Sequence, residues 1–246
     1  WRARTKYSEL FFFGFKLLRA MTQRQMLPIQ LLETALLDAR RVFRLFREIE
    51  PLQSLVSQAT SPSSEQFLKI CAVIQLAGLS CFLVTNHLVL LTKVKLLRLS
   101  IGRLRQLYGI FFMVVQSAGL LSDLRRMYYV RRGLRSIQGA LDILEKAAGW
   151  DSGARVGKKK TLHLQRAELL AFRKEILVSM TKHLLDHILA LNLIRGGSGQ
   201  IQWNNAIVGS VGTATSLIQL WQLWRTSISG TPLGQRVAVE RLHLAL

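Results

Sequence analysis

Three runs of the chain carry no Lys, Arg, Asp or Glu and are long enough to be considered as membrane spans. They are residues 70–92, which include ICAVIQLAGLSCFLV, residues 106–122, and residues 206–224, AIVGSVGTATSLIQLWQLW. A helix needs about 20 apolar residues to cross a bilayer, and 106–122 lies at the lower limit. Trp203 precedes the third run, and Trp221 and Trp224 lie near its end, as interfacial anchors do. We therefore predict two spans, 70–92 and 206–224.

Apolar residues at steps of three and four predict further helices between these runs. One stripe consists of Val94, Leu97, Ile101, Leu104 and Tyr108, and another of Leu169, Phe172, Ile176, Met180, Leu184, Ile188 and Leu191. Residues 60–65, 149–160 and 195–200 are rich in Gly, Ser or Pro and are predicted connections. No long strand-like alternation competes, so the pattern predicts an all-α chain.

The N-terminal region contains an amphipathic helix in which arginines are interleaved with aromatic and aliphatic residues. Its apolar stripe consists of Leu32, Ala35, Leu36, Ala39, Phe43 and Phe46, and its basic residues are Arg40, Arg41, Arg44 and Arg47. Pro28 lies before the stripe and Pro51 after it, as prolines prefer at helix boundaries. The pattern predicts an N-terminal region, 1–65, with a membrane-binding helix over about 31–55. A membrane domain, 66–246, follows, with interfacial helices between its two spans.

Composition limits the class of partner. Half of the 246 residues are hydrophobic and the mean hydropathy is +0.23, yet the formal net charge is +20. Such a charge implies a polyanionic surface, either nucleic acid or anionic lipid. Four arginines near an anionic membrane contribute about 1 kcal/mol each, whereas each buried Leu or Phe contributes roughly 1.5–3 kcal/mol. The apolar face dominates, which favours an anionic phospholipid membrane over nucleic acid. The alternative is that Phe43 and Phe46 pack in a soluble helical core.

The strongest candidate for a chemical site is KHLLDHILALN, where His183, Asp186 and His187 fall at i, i+3 and i+4 of one helix. Leu184 occupies the position of the glutamate in HExxH, and no second cluster supplies ligands, so no metal is predicted. Asp186 is expected to pair with Lys182 or with a cation on a neighbouring helix, because a carboxylate in an apolar helix needs a partner. No phosphate-binding, nucleophile or CxxC motif is present. We predict no enzyme activity and no cofactor.

The last uncharged run is rich in small residues at a spacing of four. The residues concerned are Gly209, Ser210, Gly212, Thr213, Ala214 and Ser216. Small-xxx-small spacing lets two helices approach closely in lipid, so self-association is a hypothesis, with tight packing inside one chain as the alternative. Asn86 and Asp186 are the polar residues predicted to lie within the membrane.

Four segments occur together in an order that resembles a known family. They are DARRVFRLFREIEPLQSL, FLVTNHLVLLTKVKLLR, MTKHLLDHILALN and WNNAIVGSVGTATSLIQLWQLW, within residues 31–224. The chain resembles the peroxin eleven family of peroxisomal membrane proteins. Two departures stand out: Asn86 lies where the family often has an aspartate, and FREIEPL replaces an expected Gly-Lys turn.

The resemblance implies an integral protein of the peroxisomal membrane, or of a related organelle such as the glycosome. Its amphipathic helix, here residues 31–55 with their four arginines, would insert into one leaflet and start elongation. Division would follow through a dynamin-related GTPase and its tail-anchored adaptor. The aspartate of the family's late helix would be Asp186, and the glycines of its last span would be Gly209 and Gly212.

Two functions from different classes remain open. The first is membrane remodelling, and the second is a channel for small metabolites, for which Gln75, Asn86, Gln116 and Gln219 are the candidate polar residues. If 70–92 and 206–224 both span, the basic stretch 93–135 lies on the far side from the termini, against the positive-inside tendency. We therefore expect the middle helices, including 106–122, to lie in the membrane interface.

Overall fold

A computed structural model describes residues 10–18, 49–60, 65–146, 152–198 and 204–229, together with single helical positions at 31, 32, 35, 39 and 42. The elements are α1 (residues 10–18), α2 (Ile49–Thr60), α3 (Gln66–Lys93), α4 (Ile101–Lys146), α5 (Ser152–Gly197) and α6 (Asn205–Ser229). Within these described ranges every element is an α-helix and no strand occurs. The predicted all-α class is confirmed.

Helices α2 to α6 form a row in chain order, in which α2 packs on α3, α3 on α4, α4 on α5, and α5 on α6. Short connections require neighbouring helices to run antiparallel. Gly78 of α3 lies against Val115 of α4, and Gly109 of α4 lies against Ile194 of α5. At 1.5 Å per residue, the 46-residue helices α4 and α5 are each about 69 Å long. The contact between α4 and α5 is the most extensive contact between the described helices.

The apolar stripe predicted on α5 is only partly a packing face. Leu169 and Ile176 are buried against Met127 and Val130 of α4, with Phe172 and Met180 packed beside them. Leu184 and Leu191, which continue the same stripe, are exposed. Steps of four residues turn 40° too far, so the stripe rotates away from α4. Further along α5, the residues buried are His183, Asp186, Leu189, Ala190 and Asn192.

The helical stripe predicted over residues 94–108 is wrong at its start, because α3 ends at Lys93 and α4 begins at Ile101. Lys95 has a positive φ of 63°. The Leu96 amide donates to the Leu91 carbonyl at 3.0 Å, and the Lys95 amide donates to the Thr92 carbonyl at 3.1 Å. These two bonds form a Schellman cap, with lysine at the left-handed position that usually holds glycine.

We expect Lys95→Gly to raise the free energy of unfolding by about 1 kcal/mol, because glycine adopts a left-handed conformation without the steric cost of a Cβ. Thermal unfolding in detergent, followed by circular dichroism at 222 nm, would measure the change. Lys93→Gly is the matched control, since it removes the same charge inside the helix and should destabilise. A loss of stability in Lys95→Gly would contradict the inference that the left-handed conformation of Lys95 is strained.

Two boundaries differ from the sequence prediction. The predicted connection 149–160 is wrong over most of its length, because α5 begins at Ser152. Arg155 donates to the Glu145 carbonyl at 3.0 Å and Lys159 pairs with the Glu145 carboxylate at 3.4 Å, which fastens the start of α5 to the end of α4. Pro51 lies in the first turn of α2, where the amide that proline lacks has no helical acceptor. It therefore belongs to a helix that continues to Thr60.

Candidate functional site

The outer faces of the helix row are apolar at the level of the uncharged runs. The exposed apolar residues include Ile70, Ile74 and Val84 on α3, Leu107, Ile110, Val114 and Leu121 on α4, Leu177, Leu184 and Leu191 on α5, and Ile207, Leu217, Trp221 and Trp224 on α6. Polar side chains are buried between the same helices: Ser80, Thr85, Asn86, Gln116, Ser122, Asp123, His183, Asp186, Asn192, Thr215 and Ser216. The described helices thus expose large apolar side chains on the outside of the row and bury polar side chains within it.

Two of the described helices, α3 and α4, are long and apolar enough to cross a bilayer. The predicted span 70–92 lies within α3. Residues 106–122, which the sequence analysis assigned to the membrane interface, lie in α4 between α3 and α5. The predicted span 206–224 lies in α6, which is not one of the two, because Gly, Ser, Thr and Gln interrupt its apolar residues. A span in α6 stays a prediction.

A polar seam joins α4 and α5, and we define it as Gln116, Ser117, Asp123, His183 and His187. The His183 Nδ1 lies 2.6 Å from the Gln116 Oε1, and the His187 Nε2 lies 3.0 Å from the Ser117 Oγ. The His187 Nδ1 donates to the His183 carbonyl at 2.7 Å, so that in a neutral imidazole the Nε2 accepts from the Ser117 hydroxyl. The Asp123 Oδ2 lies 3.7 Å from the His183 Nε2. These contacts set the register of the two long helices.

Two glycines let α4 and α5 approach closely at this seam. A Cβ added at Gly119 would lie 2.5 Å from the His183 Cε1, and one added at Gly109 would lie 2.9 Å from the Ile194 backbone nitrogen. Small residues at helix contacts have this effect in membranes as well. Neither glycine was among the predicted contact residues, although their position inside the uncharged run 106–122 was a usable signal.

Asp186 pairs with Lys182 one turn earlier on α5. The Lys182 Nζ lies 3.2 Å from the Asp186 Oδ2, and the aspartate side chain is only 4% exposed. The first of the two predicted partners is therefore confirmed. His183 and His187 contact α4 instead of converging with Asp186. Among the described residues, no group of three His, Cys, Asp or Glu side chains could hold a metal ion.

Asn86 is buried on α3, and its Nδ2 is one of the few buried polar atoms of the described residues without a hydrogen-bond partner. Asn86 was predicted to be a polar residue within the membrane, which stays a prediction. Burying an amide without a hydrogen-bond partner costs free energy, so such a group invites a functional explanation.

A second polar contact holds the start of α3 against α4. Glu65 precedes α3 as its N-cap residue, and its carboxylate accepts from the Arg125 Nε at 2.9 Å. The Arg125 guanidinium also lies over the Tyr129 ring, 4.8 Å from the centroid. The two charged residues are 60 positions apart, and no local sequence pattern indicated the pair. The contact places the start of α3 beside the middle of α4.

The small residues predicted to mediate helix contacts on α6 pack partly within the chain. A Cβ at Gly209 would lie 2.8 Å from the Leu17 backbone nitrogen, and one at Gly212 would overlap the Phe13 ring, so both glycines contact α1. The Thr213 hydroxyl donates to the Gly209 carbonyl at 2.8 Å, and Ser216 is fully buried. Ser210 is exposed and Ala214 is half-buried. Self-association through this helix stays a prediction.

The predicted membrane-binding helix lies mostly outside the described residues. This applies to Leu36, Arg40, Arg41, Phe43, Arg44, Phe46 and Arg47. Leu32 is helical and exposed, as are Leu31 and Val42. Helix α2, which follows, exposes Ile49, Leu52 and Val56 at i, i+3 and i+7, which is one helical face. An apolar face is thus exposed immediately before α3.

These features define an all-helical protein with two candidate membrane-spanning helices, polar contacts between helices and apolar residues outside. The family described as Peroxisomal biogenesis factor 11 (PEX11) matches residues 4–224 of the chain, and the chain belongs to this family. The resemblance found in the sequence is thereby confirmed. Neither the curated proteins nor the solved structures include a match to the chain. Membership associates the chain with the peroxisome and with peroxisome biogenesis and proliferation, in a family of biogenesis factors that is not known for enzymes.

Proposed function

We propose that the chain is an integral protein of the peroxisomal membrane, or of a related organelle such as the glycosome, that bends and elongates this membrane before division. The observation that carries the proposal is the apolar outer surface of a row of helices whose polar side chains face one another. In a bilayer those outer residues, such as Leu107, Ile110 and Val114, remain out of water.

The N-terminal helix acts as the wedge in this proposal. An amphipathic helix lies in the plane of the interface, and its apolar face is buried about 5–10 Å into the boundary between headgroups and acyl chains. Phe43 and Phe46 supply that face, while Arg40, Arg41, Arg44 and Arg47 select anionic lipid. Helix α2 packs on α3, so an anchored α3 would hold the wedge at the surface. Expansion of one leaflet curves the membrane.

Elongation leads to division in the second half of the proposal. Self-association through the small residues of α6 would gather several wedges in one membrane region. A dynamin-related GTPase and its tail-anchored adaptor would then sever the elongated membrane. These partners are proposed from family membership, which concerns peroxisome biogenesis.

Reconstituting the full chain into vesicles of graded anionic lipid tests the wedge. Electron microscopy should show tubules whose number rises with phosphatidylserine content. Phe43→Asp should abolish them, because a charge on the inserting face costs more than the roughly 1.5–3 kcal/mol that a buried Phe contributes. Phe43→Leu is the matched control and should retain tubulation. Tubules formed equally by all three proteins would contradict a wedge at this position.

The second candidate function is a channel for small metabolites, which the unpaired Asn86 Nδ2 favours. Planar-bilayer conductance decides between the two. A channel requires a conductance that is lost in Asn86→Leu and retained in Phe43→Asp. A wedge requires tubulation that is lost in Phe43→Asp and retained in Asn86→Leu.

A further inference from the structure

The two longest helices cannot fit within a bilayer along their whole length. Each is about 69 Å long, and the hydrocarbon core of a bilayer is about 30 Å thick. The uncharged residues 106–122 of α4 match that core, and α5 accompanies them, since Gln116 contacts His183 and Gly109 contacts Ile194. Residues 123–146 of α4 and 152–175 of α5 then extend beyond the core. We call this pair of segments the basic arm.

The basic arm is a packed helical hairpin. Met127, Val130 and Leu169 form a core at its base together with Ile176, the residue next to the arm, and Leu141 and Leu144 are buried close to its tip. Glu145 fastens the tip through Arg155 and Lys159. Helix α4 is a single helix from Ile101 to Lys146 and contains no proline, so the arm continues in the direction of the uncharged segment.

The surface of the basic arm combines positive charge with exposed apolar residues. Its two segments contain thirteen Lys and Arg against five Asp and Glu, a net charge of +8. Lys158, Lys159 and Lys160 are exposed near the tip, where Ile143 and Val156 are 69% and 67% exposed. Clusters of basic residues bind anionic lipid headgroups, and neighbouring apolar side chains insert between them. An acidic polymer such as polyglutamate could pair with the lysines but would offer no apolar phase to Ile143 and Val156.

The tip lies too far from its own membrane to bind it. The 24 residues from 123 to 146 cover about 36 Å, or about 27 Å above the hydrocarbon core at the upper tilt of about 40°. Headgroups occupy roughly 5–8 Å of that height, and the Debye length at physiological salt is about 8 Å. The surface potential of the membrane that holds α4 is therefore screened at the tip. The tip can reach only the anionic surface of a different membrane.

We propose that the basic arm docks onto an anionic phospholipid membrane other than the patch in which α4 is embedded. The basic cluster at the tip binds headgroup phosphates and carboxylates, and Ile143 and Val156 insert between them. The arm would thus hold a second bilayer a few nanometres away. The inference rests on the membrane integration that is part of the proposed function.

Vesicle clustering tests the docking. The full chain is reconstituted into phosphatidylcholine vesicles, and fluorescent acceptor vesicles of graded phosphatidylserine content are added. Cosedimentation of acceptors should rise with phosphatidylserine and fall with salt. The triple variant Lys158→Ala, Lys159→Ala, Lys160→Ala should lower acceptor affinity about a hundredfold, since each lysine near an anionic surface contributes about fivefold. Val156→Ser should weaken binding without changing its salt dependence.

The matched control removes the same charge just before and within the first turns of α4, at the end opposite the arm. The variant Arg98→Ala, Arg103→Ala, Arg105→Ala changes three exposed residues outside the arm and should cluster acceptors normally. A repeat in which the vesicles that hold the protein also contain phosphatidylserine tests whether the arm can bind its own membrane. Clustering of acceptors should persist. Its suppression would mean that the arm folds onto its own membrane and would overturn the proposal. Equal loss in both triple variants would overturn it as well.

Further measurements separate this inference from the proposed function. Carbonate extraction and tubulation report on integration and remodelling, and neither should change in the Lys158–Lys160 variant. Vesicles that hold the protein and form tubules but never cluster acceptors would overturn docking alone. If polyglutamate binds the arm while acceptor vesicles do not, the occupant is an acidic protein and the lipid proposal fails. Extraction of the protein by carbonate would overturn both proposals.

Discussion

Asp186→Ala is expected to lower the free energy of unfolding by about 3–5 kcal/mol, the range for breaking a buried ion pair by removing one partner. The Asp186 side chain is 4% exposed and its Oδ2 lies 3.2 Å from the Lys182 Nζ. Without the carboxylate, the Lys182 ammonium remains largely buried and loses the negative charge with which it pairs. Helix α5 carries both residues beside α4, so the cost falls on the main helix contact of the molecule. Unfolding in detergent by urea, followed by circular dichroism, would measure it.

The double variant Lys182→Met, Asp186→Leu is the matched control for this prediction. It removes both charges; Met is close to Lys in volume, whereas Leu is larger than Asp and adds an overpacking cost of about 1–3 kcal/mol at most, and replacing a buried pair by apolar residues is often neutral or stabilising. Most of the lost stability should therefore return. If the double variant is as unstable as Asp186→Ala, Asp186 acts through other contacts and the ion-pair explanation is wrong.

The second large effect is expected at Gly119, where alanine should lower the free energy of unfolding by about 1–3 kcal/mol, the usual cost of overpacking a tight core. An added Cβ would lie 2.5 Å from the His183 Cε1 and 2.7 Å from its Nε2. The imidazole can move only by stretching its 2.6 Å contact with Gln116. Thermal unfolding in detergent would report the loss.

Gly139→Ala is the matched control on the same helix. No atom lies within 4 Å of a Cβ built at Gly139, so the substitution adds helix propensity without a clash. It should raise the free energy of unfolding by about 0.5–1 kcal/mol. The two glycine variants are thus expected to act in opposite directions. Stabilisation by both would show that α4 and α5 are less tightly packed at the polar seam than the contacts indicate.

The sequence was informative where neighbouring residues determine structure. The uncharged run 70–92 lies within one apolar helix, and Lys182 pairs with Asp186 one turn away. Both follow from helical spacing alone. The local rules failed at 94–100 and at 152–160. Lys95 takes the position that usually belongs to glycine, and the start of α5 is held by Glu145 on another helix. Neither the left-handed conformation of Lys95 nor the contact of Glu145 with α5 leaves a periodic pattern in the sequence.

Placement of the polar residues required the tertiary structure. His183 was evident as a polar residue on an apolar helix, but its partner Gln116 is 67 positions away. Gly119 lies in the uncharged run 106–122, which suggests a helix contact, but only the structure shows that the His183 ring lies against it. The glycines of α6 were expected at a helix contact, and the helix they meet is α1 of the same chain. Spacing indicates that a residue can be packed closely, not which residue packs there.

Composition and residue order were sufficient for the helical class, the apolar runs, the high positive charge and the family resemblance, because none of these depends on contacts between helices. Three features became visible only in three dimensions: α4 lies between α3 and α5, Arg125 meets Glu65, and half of each long helix contributes to one packed, basic hairpin. Contacts between helices depend on the fit of side chains from distant parts of the chain, which no local pattern records. Helical periodicity sets the face of each helix, and this fit sets its partner and register.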